Sequence, residues 1–135
     1  MNKIIEVMDI KDLQKVVECV KNSGIKIFIL SGTLGSGKTT FVKEFVRSLD
    51  IDEDVNSPTF SIQNIYANKV FHYDLYNKTI QDFLSLGMLE EFDKDGYHFI
   101  EWGEEIEGYL EQFGFEYSKI EIELQNEKRI FNCIH

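Results

Sequence analysis

A chain of 135 residues, 43% hydrophobic and 13% aromatic, has the material for one domain with a real core and argues against disorder. Its formal net charge of −10 disfavours direct binding of nucleic acid, whose affinity for proteins comes largely from phosphates neutralised by Lys and Arg. No apolar run approaches the ~20 residues that span a bilayer, and Glu6 and Asp9 interrupt the start where a signal peptide is apolar, so a soluble, cytoplasmic protein is expected.

In chain order, "MNKIIEV" is β-prone, and "DIKDLQKVVECVKN" follows as a helix with Asp9 as N-cap. Its Ile10, Leu13, Val16, Val17 and Val20 recur at helical spacing, and Ser23-Gly24 should end it. "IKIFILSG" reads as a buried central strand, and Phe41, Val42, Phe45, Val46 and Leu49 form the apolar face of a helix over 38–49. After the acidic, turn-rich "IDEDVNSPTF", the runs "FSIQNIYA" and "VFHYDLY" suggest a hairpin turning at Asn68-Lys69. "TIQDFLSLGMLEEFDKDG" looks helical with a break near Gly87; "YHFIEW" is another buried strand, and "GEEIEGYLEQ" a short helix. "KIEIEL" and "RIFNCI" alternate as strands paired around Asn126-Glu127. Cys19 and Cys133 lack metal-ligand spacing and read as indifferent thiols. With no repeat or linker, residues 1–135 are expected to form a single α/β domain, its central sheet mainly parallel with antiparallel additions and flanking helices.

The chemistry begins at "GTLGSGKTT". Gly32, four residues, then Gly37-Lys38-Thr39 satisfies G-x-x-x-x-G-K-[ST] and sits between a buried strand and an amphipathic helix, the context a phosphate-binding loop needs. Gly32, Gly35 and Gly37 let the backbone turn so that several N–H groups, with those of Ser36 and its neighbours, face one anion. The helix N-terminus adds partial positive charge. Lys38 should neutralise β- and γ-phosphates, Thr39 ligate Mg²⁺, and Thr40 add a hydrogen bond to phosphate. Such a metal needs further oxygen ligands. Glu101, ending "HFIE", and Asp74, ending "VFHYD", are the acids expected at strand tips, where open α/β sheets bind ligands.

With "GTLGSGKTTF", the stretches "SPTF", "FHYDLY" and "IEWGE" stand in an order that resembles the TsaE family (also called YjeE), the small ATPase of bacterial tRNA threonylcarbamoyladenosine synthesis. The resemblance runs from 32–40 through 57–60 and 72–76 to 101–104 and implies a P-loop NTPase-type domain using ATP and Mg²⁺. It matches Ser57-Pro58-Thr59 to a first switch-like loop, with Thr59 sensing the γ-phosphate or positioning water. His72, Asp74 and Tyr76 match the second, Asp74 being the acid near metal or water. Glu101 matches the metal-associated acid and Trp102 the tryptophan beside it. The family motif H-x-D-L-Y-R has Asn77 here in place of its arginine. A nucleotide contact from the C-terminal hairpin is also implied, from Lys128 or Arg129.

The only arginines are Arg47 and Arg129, and neither a lid nor a basic clamp is evident. Kinases of small molecules usually stabilise the transferring phosphoryl with several cations, so a kinase is the weaker alternative, beside a non-catalytic nucleotide-sensing scaffold. The resemblance implies slow ATP hydrolysis that serves TsaD and TsaB, with tRNA reached only through those partners and no membrane involved.

Overall fold

The computed structural model describes residues 2–33, 35–56, 58 and 61–134. Among them, seven strands form one sheet in the order β1-β7-β6-β2-β5-β4-β3: β1 Asn2–Val7, β2 Ile27–Ser31, β3 Gln63–Tyr66, β4 Val70–Asp74, β5 Tyr97–Glu101, β6 Tyr117–Gln125 and β7 Lys128–Ile134. The central β6, β2, β5 and β4 pair in parallel, whereas β1, β7 and β3 join antiparallel. This is the expected α/β architecture. No helix among the described residues is long and apolar enough to cross a membrane.

Alternation along β2 divides the core. Phe28 and Leu30 enter one cluster and Ile27 and Ile29 another, because successive side chains leave opposite faces of a sheet. Helices α1 (Ile10–Asn22) and α2 (Lys38–Ser48) cover the first face with Leu13, Val16, Val17, Val20, Phe41, Val42, Phe45 and Val46. Asp9 caps α1 by accepting from the Asp12 amide at 3.2 Å, satisfying one of the four amides a helix start leaves unpaired. The other face is covered by α3 (Ile80–Ser85), α4 (Glu107–Gln112) and short 3₁₀ turns over Met88–Asp93 and Glu104–Ile106, which deliver Phe83, Phe92, Ile106 and Leu110. Phe41 and Phe45 meet Phe99 edge-on at 5.5 and 4.9 Å between ring centres, which fixes α2 against the middle of the sheet.

Two local readings are corrected. The β3–β4 connection turns at Ala67-Asn68, both in the left-handed region, with the Lys69 amide donating to Tyr66 oxygen at 2.9 Å; this is one residue before the expected position. The helical stretch after Thr79 breaks at Gly87 as expected, but continues as 3₁₀ rather than α-helix. Gly87 at φ 73° is in the left-handed region and cannot continue the helix, so the chain starts a new turn there.

Candidate nucleotide site

Strand β2 ends at Ser31 and α2 begins at Lys38, so the glycine loop lies at the C-terminal edge of the parallel strands. Gly35 and Gly37 have φ of 77° and 115°, a region costly for residues with a Cβ. Gly32 is required by space: a Cβ there would stand 2.8 Å from the Ile122 carbonyl oxygen and 2.6 Å from Ser36 Oγ. No side chain caps α2 and its first turn holds no acid, so its N-terminal amides and dipole stay open to an anion. Ser36 Oγ is buried without a hydrogen-bond partner among the described residues. A buried hydroxyl left unpaired is costly, and a phosphate oxygen would satisfy it.

Lys38 Nζ donates to the Gly32 carbonyl at 2.7 Å and lies 3.4 Å from the centre of the Trp102 ring. Burial holds its ammonium below the ordinary lysine value, opposed by the nearby negative charges of Glu101, Glu104 and Asp74. Thr39 Oγ1 donates to Glu101 Oε2 at 2.9 Å, and His72 Nε2 stands 2.5 Å from that same oxygen. Glu101 is adjacent to Asp74 because β4 and β5 run in parallel register. Asp74 Oδ1 accepts from the Tyr76 amide at 2.9 Å, and the Leu75 amide donates to the Glu101 carbonyl at 3.0 Å, tying the two strand tips together.

Trp102 occupies the left-handed region at φ 59°, uncommon for a bulky residue, and this turn carries its ring over Lys38. Tyr76 packs on the ring's surroundings with 5.1 Å between centres. Asn77, in place of the family arginine, has φ 58°, a conformation asparagine tolerates better than most residues.

A cleft of about 410 Å³ runs between the loop (residues 35–40) and Asp74, Tyr76, Glu101, Trp102 and Arg129. A smaller hollow of about 270 Å³ shares Gly37, Thr40 and Arg129 with it and extends to Met8, Ile10 and Phe131. Larger hollows open elsewhere, at residues 43–56 and 84–115, without the glycine-loop backbone, so volume does not mark the site. Arg129 Nε donates to the Ser36 carbonyl at 2.7 Å, whereas Lys128 reaches Glu6 at 3.1 Å. Of the two basic residues anticipated in the C-terminal hairpin, it is therefore Arg129, not Lys128, that faces the loop. Neighbouring residues in a strand point to opposite faces, and a one-position ambiguity in the alternation hides which one faces inward.

Of the anticipated residues, Gly35, Ser36, Gly37, Lys38, Thr39, Thr40, Asp74, Glu101 and Trp102 all border the one cleft, and Gly32 sits beneath it through its contact with Lys38. Thr59 and Ser57 lie outside the described residues. Sequence reasoning missed the Met8–Ile10 wall and the bond between His72 and Glu101. Ile10, expected with the apolar face of α1, is instead 56% exposed beside Met8 at 70%, so only the fold reveals the first; strand register alone reveals the second.

The residues fit a Mg²⁺–nucleotide. Among the described residues no group of three or more His, Cys, Asp or Glu is arranged around a metal position. Magnesium typically takes only one or two protein carboxylates and completes its shell with phosphates and water, which Thr39 and Glu101 suit.

A family model described as "Threonylcarbamoyl adenosine biosynthesis protein TsaE" matches residues 7–131. The chain is 34% identical over 90 residues to a tRNA threonylcarbamoyladenosine biosynthesis protein TsaE of Treponema pallidum, covering 64% of this chain and 67% of that one. It is 36% identical over 101 residues to the TsaE of Aquifex aeolicus, covering 70% and 71%. With the TsaE of Bacillus subtilis it shares 40% over 89 residues, 64% of this chain but 56% of the relative. A crystal structure of Bacillus subtilis YdiB has the same fold, with a TM-score of 0.67 at 20% identity over 98% of this chain and 84% of that one. The phosphate loop, the paired strand-tip acids and a family match spanning most of the sequence lead to one conclusion: the chain belongs to the TsaE family.

Proposed function

We propose that this chain binds Mg·ATP at the loop and hydrolyses it slowly, driving the cycle of the TsaD–TsaB complex that places threonylcarbamoyl on adenosine 37 of tRNA. The observation that carries the reading is the convergence of Lys38, Thr39 and Glu101 in one cleft below an uncapped helix N-terminus.

The loop amides and Lys38 would hold the phosphates, and Thr39 with Glu101 would hold the metal; Asp74 stands beside Glu101 as a further acid. When bound, Mg²⁺ supplies Lewis-acid neutralisation of the charge on the phosphate oxygens. Arg129 extends its guanidinium along the loop, and the Met8–Ile10–Phe131 hollow gives an apolar wall suited to a base. We assign orientation of the attacking water to Asp74, aimed by the Tyr76 amide, together with Thr59.

The charge of −10 supports a role at one remove from tRNA, since a partner must supply the basic surface. Arginine scarcity supports feeble turnover alone, because an arginine supplied in trans is worth ~10³–10⁵ in rate. ATP binding would create a surface for the partners beside the cleft, and hydrolysis would release it.

The test is multi-turnover tRNA modification by the reconstituted complex with wild type, Lys38→Ala and Glu101→Ala. The expected result is sustained modification with wild type only. Equal turnover by all three would refute the reading, and ATP consumption driven by a small acceptor without partners would mark a kinase instead.

A further inference from the structure

His72 lies in the middle of β4, fully buried, between Asn64 on β3 and Phe99 on β5. Its imidazole makes a single hydrogen bond among the described residues, from Nε2 to Glu101 Oε2. Nδ1 is buried and has no partner there. An apolar side chain would fill this position without leaving a polar atom unpaired, so the imidazole carries a cost that packing does not explain. A carboxylate oxygen only accepts, so Nε2 is the atom that donates to Glu101.

What the bond does follows from Glu101. A glutamate has three side-chain torsions, and this one must present its carboxylate at a strand tip opening onto the cleft. Thr39 and His72 converge on a single oxygen, Oε2, from two different elements: one from the first turn of α2, the other from within β4. Thr39 is the hydroxyl assigned to the metal, so its bond to Glu101 belongs to the site itself. His72 is fully buried and does not border the cleft, so its bond reaches Glu101 from outside the cleft lining. Residues that anchor a metal-binding group from behind typically change metal affinity 10–100-fold when replaced.

We propose that His72 is a positioning residue for the divalent cation, holding Glu101 Oε2 toward Thr39 through its Nε2–H. The proposal rests on the Mg·ATP reading of the cleft.

The test is a Mg²⁺ titration at fixed concentration of a fluorescent ATP analogue, using wild type, His72→Gln, His72→Asn and His72→Phe at one pH. Affinity for the analogue in excess chelator and the melting temperature are recorded for each. Gln presents an amide N–H where Nε2 stands, whereas Asn ends short of Glu101 and Phe fills the ring volume with no donor. The expected result is a Mg²⁺ midpoint for Gln within ~3-fold of wild type and midpoints ~10–100-fold higher for Asn and Phe, with chelator-state affinities nearly equal. Phe keeps the comparison available if Asn fails to fold. Wild-type midpoints for Asn and Phe, or a Gln shift as large as theirs, would overturn the positioning role and leave the nucleotide reading intact. Absence of any Mg²⁺-dependent binding by wild type would overturn both.

Discussion

The ammonium of Lys38 sits 3.4 Å from the centre of the Trp102 ring, close enough for the indole face to share the charge with the Gly32 carbonyl. Both contacts are replaceable by phosphate oxygens, which bind an ammonium more strongly than a neutral carbonyl does. Trp102 is the chain's single tryptophan, so its emission reports where Lys38 is. Mg·ATP should produce a saturable change in tryptophan fluorescence. Lys38→Met should lose it by weakening binding ~10–100-fold, the worth of a charge-assisted bond of about 1.5–3 kcal/mol. An unchanged emission in wild type at ATP concentrations that calorimetry shows to be saturating would contradict this arrangement.

Arg129 and Lys128 should separate cleanly. Arg129 lies along the loop, whereas Lys128 pairs with Glu6, itself 61% exposed at the side chain, where an ion pair is worth about 0–1 kcal/mol. Competition binding should show Arg129→Ala weakening ATP affinity ~10-fold or more, with Lys128→Ala indistinguishable from wild type. The reverse order would remove the hairpin's assigned role.

Gly103, which follows Trp102, is a steric requirement. Its backbone is ordinary, but a Cβ would stand 2.3 Å from Ile100 Cγ2 in the core. Gly103→Ala should cost about 1–3 kcal/mol, as overpacking does. For a domain of this size that lowers the melting temperature by roughly 4–11 °C. A melting temperature equal to wild type would mean the Trp102–Gly103 turn yields without strain.

His98 gives stability a pH dependence. It is fully buried; its Nε2 donates to the Lys94 carbonyl at 2.8 Å and its Nδ1 accepts from the Tyr73 hydroxyl at 2.7 Å. Burial is the main cause that holds its pKa below the ordinary histidine value of 6.5, only partly opposed by the Lys94 carbonyl and Glu91. The unfolded chain therefore binds the proton first as pH falls, and the folded state loses stability from near pH 6.5 downward until the folded-state pKa is passed. Denaturant melts at pH 7.5 and 5.5 should show wild type losing more stability on acidification than His98→Gln. Equal losses would show that the buried imidazole does not contribute.

The parts of the molecule that depend on local pattern were legible. The uninterrupted apolar run of β2, the glycines after it and the 3.6-residue spacing of Phe41, Val42, Phe45 and Val46 specify strand, loop and helix by themselves. Strand-tip acids were legible because an apolar run that ends in Asp74 or Glu101 has only one buried direction. Registers between strands distant in sequence were not. The side-by-side placement of His72 and Glu101 depends on β4 pairing with β5 without a slip of one residue, which would turn every side chain to the other face. Which of Lys128 and Arg129 faces the loop was illegible for the same reason.

The central claim is that the amides after β2 and the acids at the neighbouring strand tips grip one metal–triphosphate. Isothermal titration calorimetry of Mg·ATP into the wild-type chain, beside Lys38→Ala, tests it most directly. Saturable uptake of one equivalent by wild type, lost or at least ~10-fold weaker in Lys38→Ala, is the predicted result. No heat of binding in wild type, or identical isotherms for the two proteins, would contradict it.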